Sequence, residues 1–261
     1  MPIHRTIEPI RPTQTEFGQI AYEVMSCVYG IHNDFGRLFD EVVYKREFAN
    51  RMAGIELELP VTVTFGSFSK TYKLDVLAHR RGLFEFKAVE TITPRHRTQT
   101  INYLLLFDLP HAKLINVRPQ RVVDEFVNCH LRLKALRNPP VDSTGLESNV
   151  AGGSFFYDHI MGLIQDWGSG LETELYEEAL THLLGGEERV VQLVPVIGAN
   201  GRLHDQKMRL MAPGVAFKLT AFHDQLDAFE TNARRFVQHT ALSALHWANI
   251  THGQVTLRTI R

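Results

Sequence analysis

Tyr72-Lys-Leu-Asp-Val-Leu-Ala-His-Arg-Arg-Gly-Leu-Phe-Glu-Phe-Lys-Ala-Val-Glu90 decides the fold. Its first third, up to His79, alternates as a strand, Arg80-Arg81-Gly82 reads as a turn, and Leu83–Val89 is a second strand. If the two are antiparallel neighbours, Glu85 and Lys87 lie two apart on one face and Asp75 faces them from the next strand. Phe84 and Phe86 take the opposite face, toward a core. Two carboxylates brought together repel unless a cation sits between them. Oxygen ligands without cysteine on an open site suit Mg²⁺ or Mn²⁺ rather than zinc. Such an ion polarises a phosphodiester oxygen and acidifies water, and Lys87 beside it can orient that water or stabilise developing charge. An ion pair on a solvated strand face is the competing reading.

Outward from this hairpin, Ile20, Val24, Cys27, Val28 and Ile31 recur at helical spacing, and residues 36–52 suggest a second helix. Ile55–Phe65 alternates as a strand, and Gly66–Ser69 offers turn chemistry. After the hairpin, Thr93 can cap a helix that opens on Pro94. Ala112–Val117 closes the unit as an apolar strand. The order helix, helix, three strands, helix, strand is a small α/β sandwich. Residues 137–154 are rich in Pro, Gly, Ser and Asn and read as a linker. The expected division is therefore 1–137, a linker at 138–153, and 154–261.

The same order recurs after that linker. Residues 168–184 lie on 35–52, matching Tyr176 to Tyr44. Residues 207–212 lie on 73–78, residues 215–219 on 84–88, and residues 254–260 on 111–117, with extra residues around 220–232. Coincidence between two α/β units is the alternative to duplication.

Three further groups bear on chemistry. Glu41, one turn before Tyr44 and Lys45, can add a carboxylate to the metal site or form an exposed pair with Lys45. Gln99 and Tyr103 share a face of the helix after Lys87, where Gln99 can bond a water or phosphate and Tyr103 can stack or touch backbone. Arg95, His96 and Arg97 crowd that helix's N-terminus, where free N–H groups favour phosphate, though an ordinary solvated helix start has the same look.

The 261 residues are 44% hydrophobic and 22% charged, as in a soluble globular protein. No run is long enough to span a membrane, the N-terminus lacks a signal-peptide core, and Cys27 and Cys129 have no metal-like spacing, so a cytoplasmic location is expected. Net charge is −1, yet residues 1–137 carry 19 basic against 15 acidic side chains while 138–261 carry 9 against 14. A locally basic half can bind nucleic acid within a neutral chain.

Taken together, Glu41-Val-Val-Tyr44, Tyr72-Lys-Leu-Asp75, Phe84-Glu-Phe-Lys-Ala-Val-Glu90, His96, Gln99-Thr-Ile-Asn-Tyr103 and Leu114-Ile-Asn-Val117 resemble the GxxExxY family of the PD-(D/E)XK nuclease superfamily. The resemblance runs from about Gln19 to Val117. It implies a restriction-endonuclease-like αβββαβ core and a nuclease using Mg²⁺ or Mn²⁺, with DNA ranked ahead of RNA as its substrate. With the internal repeat, the expected architecture is two tandem copies packed as a pseudo-dimer. A non-catalytic nucleic-acid-binding or regulatory subunit with the same fold is the alternative. Asp75 and Glu85, with Glu41 as an auxiliary acid, would hold the metal. Lys87 would be the catalytic lysine and Gln99 an accessory, while Tyr44, Arg95, His96, Arg97 and Tyr103 would contact nucleic acid. Leu38 stands where the family has its glycine, with Gly36 two residues earlier. In the second half Gly170 and Tyr176 fit the pattern, but Thr173, Arg209 and Ala216 replace the acids matching Glu41, Asp75 and Glu85. Lys218 remains, and Leu242 stands loosely for Gln99. That half is expected to be inactive and to serve as a structural or protein-contacting partner.

Overall fold

The Tyr72–Glu90 stretch forms two neighbouring strands, as its alternation predicts. In the computed structural model, which describes residues 2–261, β3 (Phe68–Ala78) and β4 (Gly82–Lys87) pair antiparallel through Val76↔Phe84, Leu77↔Leu83 and Ala78↔Gly82. Glycine is required where β4 begins: a Cβ at Gly82 would meet the Phe84 ring at 2.7 Å and Ile20 at 3.0 Å. Ahead of the hairpin come β1 (Ile3–Arg5), α1 (Gln14–Phe35), α2 (Glu41–Arg51) and β2 (Ile55–Phe65); after it come α3 (Pro94–Phe107), β5 (His111–Asn116) and β6 (Val123–Asn128). The sheet order is β1-β2-β3-β4-β5-β6. Strands β4 and β5 run parallel, so they need a crossover, and α3 supplies it. Thr93 caps α3 and Pro94 opens it, as expected. Val24, Val28 and Ile31 of α1 and Tyr44 and Phe48 of α2 form one core cluster with Val76, Phe84, Phe86 and Ile115. Strands β1 and β6 were not foreseen. One has three residues and the other is mostly exposed, so neither carries a readable apolar alternation.

The chain divides into two compact units. The first takes the chain up to Val63 with Lys70–Leu133, and the second takes Thr64–Ser69 with Lys134–Arg261. The second contains β7 (Val141–Gly145), α4 (Gly153–Trp167), α5 (Thr173–Leu183), α6 (Glu187–Val190), β8 (Val191–Gly198), β9 (Gly201–Ala212), β10 (Val215–Thr220), α7 (Leu226–Gln238), β11 (Ala244–Ile250) and β12 (Val255–Ile260). Its sheet order is β7-β12-β11-β10-β9-β8. Residues 138–153, expected as a linker, belong to this sheet: β7 pairs parallel with β12, and the Glu147 N–H donates to Thr259 Oγ1 at 2.9 Å. An edge strand needs only backbone groups, which composition does not report.

From α4 to β12 the second unit repeats the order of α1 to β6, with α6 inserted, and β10 and β11 are parallel like β4 and β5. Two side-chain devices fix the correspondence. Tyr44 donates to the Gly36 carbonyl at 2.8 Å and Tyr176 to the Gly168 carbonyl at 2.5 Å, each eight residues back across a left-handed glycine. Asn116 on β5 bonds both the N–H and the carbonyl of Val89, and Asn249 on β11 does the same to Phe222, each 27 residues upstream.

These devices correct the internal alignment read from sequence. The counterpart of β5 is β11, not residues 254–260, which form β12 and answer to β6. Asn116 pairs with Lys87 and Asn249 with Thr220, so Lys218 stands at the place of Glu85 and Thr220 at that of Lys87. Ala216, expected at the glutamate position, answers to Leu83. Leu242 lies beyond the end of α7 and cannot answer to Gln99, which lies within α3. The extra residues expected around 220–232 vanish with the two-residue shift, because α7 already begins at Leu226. Leu38 is harmless as a departure: it is exposed, and the glycine that the tyrosine uses is Gly36.

Candidate active site

The ladder between β3 and β4 runs to Val76↔Phe84. Just past that pair, the Phe86 N–H donates to Asp75 Oδ2 at 3.0 Å. Asp75 therefore faces the Glu85–Lys87 segment, as the spacing required. Lys87 Nζ lies 2.7 Å from Glu85 Oε1, confirming that the two side chains share a face. Glu85 is 1% exposed, and its other oxygen, Oε2, is buried without a hydrogen-bond partner.

That orphaned oxygen shapes the electrostatics. Burial, and then the neighbouring Asp75 carboxylate, push the Glu85 pKa up to about 8, with Lys87 partly offsetting them. Glu41 is raised for the same two reasons in the same order. Burial alone would weaken the Lys87 ammonium, but Glu85, Asp75 and Glu41 together outweigh it and the net shift is upward. A carboxylate held out of water with an unsatisfied oxygen beside a second carboxylate lacks positive charge.

Sequence reasoning missed Lys45 and Glu58. Lys45 is not a surface partner of Glu41 but a buried group. Its Nζ lies 2.8 Å from Asp75 Oδ1 and 3.2 Å from Glu41 Oε1, and also bonds Glu58 on β2. Burial disfavours its charge, yet the bonds to Asp75 and Glu58 hold its pKa above the usual lysine value. Glu58 reaches it from a left-handed backbone, φ +52°, a conformation that strains a non-glycine residue. That φ leaves no mark in the sequence. Burial of Lys45 could have been suspected only from its place one residue after a core tyrosine.

The remaining expected residues divide. Gln99 Nε2 donates to the Tyr103 hydroxyl at 3.1 Å, so the pair shares a face as foreseen. Tyr103 is buried edge-on against Tyr72 and offers no stacking platform, which corrects its expected nucleic-acid contact. Tyr44 is corrected likewise: it is 1% exposed and spends its hydroxyl on Gly36. His96 accepts the Thr93 N–H at 3.0 Å and so caps its own helix. Its pKa is lowered by burial and then by the nearby cations Lys87, Arg95 and Arg97. Arg97 is held by Glu125 in a two-pronged contact at 2.6 and 2.9 Å, and Arg95 is exposed.

In the second unit the corresponding place is held with reversed polarity. Glu177, following Tyr176 as Lys45 follows Tyr44, accepts from the Leu219 N–H at 3.2 Å and from Lys218 at 2.8 Å, with Arg209 3.5 Å away. Ala216 pairs with Leu210 where Leu83 pairs with Leu77, so Met208 stands at the register place of Asp75, and Arg209, expected there, is its neighbour. One buried carboxylate between two cations gives a divalent ion no vacancy.

Among the described residues no three His, Cys, Asp or Glu side chains are arranged to hold a metal ion as they stand. The first unit nonetheless fits a divalent cation through Asp75 and the open Glu85 oxygen, because oxygen donors with unneutralised charge are what such an ion binds. In the first unit, the ammonium of Lys45 stands among the other carboxylates.

Residues 18–127, from α1 into β6, match the model of the PD-(D/E)XK nuclease superfamily. Apart from Thr64–Ser69, the matched segment lies within the first unit, which is thus similar to that superfamily. No curated protein matches the chain. The crystal structure of SSO0001 shares 15% identity over 41% of this chain and 66% of that one, with a TM-score of 0.25. The chain thus spans just under two thirds of that protein, and the likeness carries no argument.

Proposed function

We propose that the first unit is a Mg²⁺- or Mn²⁺-dependent phosphodiesterase acting on DNA, and that the second is a tandem copy that has lost the chemistry. The observation that carries the proposal is the buried, unpartnered Glu85 oxygen beside Asp75 and Lys87, within the segment matching the nuclease superfamily. Asp75 and Glu85 would hold the ion, with Glu41 in electrostatic reach of both. When bound, the ion supplies Lewis-acid stabilisation of the phosphodiester and acidifies water. Lys87, anchored by Glu85, would orient the attacking water and neutralise charge developing on the phosphoryl oxygens. Gln99, steadied by Tyr103, is an accessory donor. The α3 N-terminus with Arg95 and Arg97 attracts the backbone phosphates.

A second reading, a nucleic-acid-binding or regulatory subunit without turnover, draws on the Lys45 ammonium already engaging Asp75. One experiment separates them. Purified protein is incubated with plasmid and with single- and double-stranded labelled DNA in Mg²⁺ or Mn²⁺. Metal-dependent cleavage is expected, falling on the order of 10³-fold in Glu85→Ala and Lys87→Ala at unchanged circular dichroism. Cleavage that survives Glu85→Ala, or salt-sensitive binding without cleavage, sinks the enzymatic reading in favour of the second.

A further inference from the structure

Lys45 has a place in the site that its packing alone does not explain. The second unit closes the same corner with Glu177 after the tyrosine and Arg209 on the strand, so the fold accepts either polarity there. Lysine at 45 answers instead to the charge around it. Glu41 from α2, Glu58 from β2 and Asp75 from β3 all present oxygens to its ammonium, and the side chain is 9% exposed. With Lys45 among them these three carboxylates are not spaced to hold a metal ion, but their oxygens are donors of the type a divalent ion takes once the ammonium is gone. Asp75 lies at the junction: it contacts Lys45 through Oδ1, and its charge raises Glu85, whose Oε2 remains open. Sites that hold two ions place them about 3.5–4 Å apart, clamping both sides of the reacting phosphate.

We infer that Lys45 is a resident cation standing where a second metal ion would bind, and that it restricts the site to one divalent ion. The charge count agrees. Glu41, Glu58, Asp75 and Glu85 set four carboxylates against the ammonium groups of Lys45 and Lys87. The deficit of two charges is what one divalent ion supplies, and a second would overfill the site. The inference rests on the reading of Asp75 and Glu85 as metal ligands and goes beyond it by fixing the number of ions and naming the residue that sets it.

The test counts ions without turnover. Metal-free full-length protein is titrated with Mn²⁺ alone, and free ion is followed by electron paramagnetic resonance. Wild type and Lys45→Arg are expected to bind one ion per chain, and Lys45→Met two. Lys45→Gln carries the same expectation should the methionine variant fail to fold. One ion in wild type and one in both neutral variants overturns the inference while Asp75 and Glu85 stand as a metal site, and two ions in wild type overturn it likewise. No ion in wild type but one in a neutral variant removes Asp75–Glu85 as a metal site together with the inference. No ion in any protein overturns both.

Discussion

In the first unit Lys45 on α2 donates to Asp75 on β3, and Asp75 holds the N–H of Phe86. In the second, Glu177 on α5 takes both parts: it faces Arg209 on β9 and itself accepts the N–H of Leu219. The tyrosine before each, the left-handed glycine that the tyrosine reaches, and the asparagine clamp on the parallel strand are the same in both units. What differs is the sign of charge. The first corner carries four carboxylates and two cations, the second one carboxylate and two cations. One sheet architecture therefore leaves one corner short of positive charge and the other supplied with it. Electrostatics, and not fold, separates a candidate metal site from a closed ion cluster.

The widest gap between the units should follow from moving that sign. Glu85→Lys puts the second unit's residue into the first, and Mn²⁺ binding measured by calorimetry should be abolished, with any cleavage falling on the order of 10³-fold or more. Lys218→Glu should give the second unit no ion, because Met208 and Thr220 occupy the other positions. An ion gained there would mean that one residue, and not the ensemble, sets the difference.

Removing Glu177 should cost the second unit about 1.5–3 kcal/mol in urea unfolding, since Glu177→Ala leaves the buried Leu219 N–H without its charged acceptor while Arg209 and Lys218 still reach water. A loss near zero would show that the cluster is solvent-compensated.

The raised Glu85 pKa gives a pH test confined to the first unit. The folded metal-free protein keeps a proton on Glu85 that the unfolded chain releases, so stability should fall as pH rises from about 4.5 to about 8. The slope is at most about 1.4 kcal/mol per pH unit. Glu85→Gln should flatten it, and Mn²⁺ should bind more tightly across the same window as the competing proton leaves. An unchanged slope in the glutamine variant would assign the effect elsewhere.

The smallest effect tests the shared device. Asn116→Ala and Asn249→Ala each lose a bond to an N–H and a bond to a carbonyl, and each should cost about 1–3 kcal/mol. Unequal losses would show that the asparagine clamp does different work in the two units.

Much of the first unit was legible because its signals are local. Thr93-Pro94 marks a helix start, alternation marks β2 to β4, and a two-residue separation puts Glu85 and Lys87 on one face whatever surrounds them. The internal repeat was legible as an order of elements but not in its register. Short apolar strands match in several frames, and only the asparagine clamp and the parallel pairing fixed Lys218 opposite the Glu85 position. Tyr44 and Tyr103 show the other limit: a sequence says that two side chains share a helix face, not whether that face meets solvent or core.

The sequence by itself determined the element order from α1 to β5 and the meeting of Asp75, Glu85 and Lys87, because strand geometry has a period of two and needs no distant partner. Only the tertiary structure decided that Lys45 and Glu58 join them, that Glu85 keeps an unsatisfied oxygen, and that residues 141–145 form a strand of the second sheet. Burial and hydrogen-bond partnership are properties of what packs against a residue from elsewhere in the chain, and no local spacing encodes them.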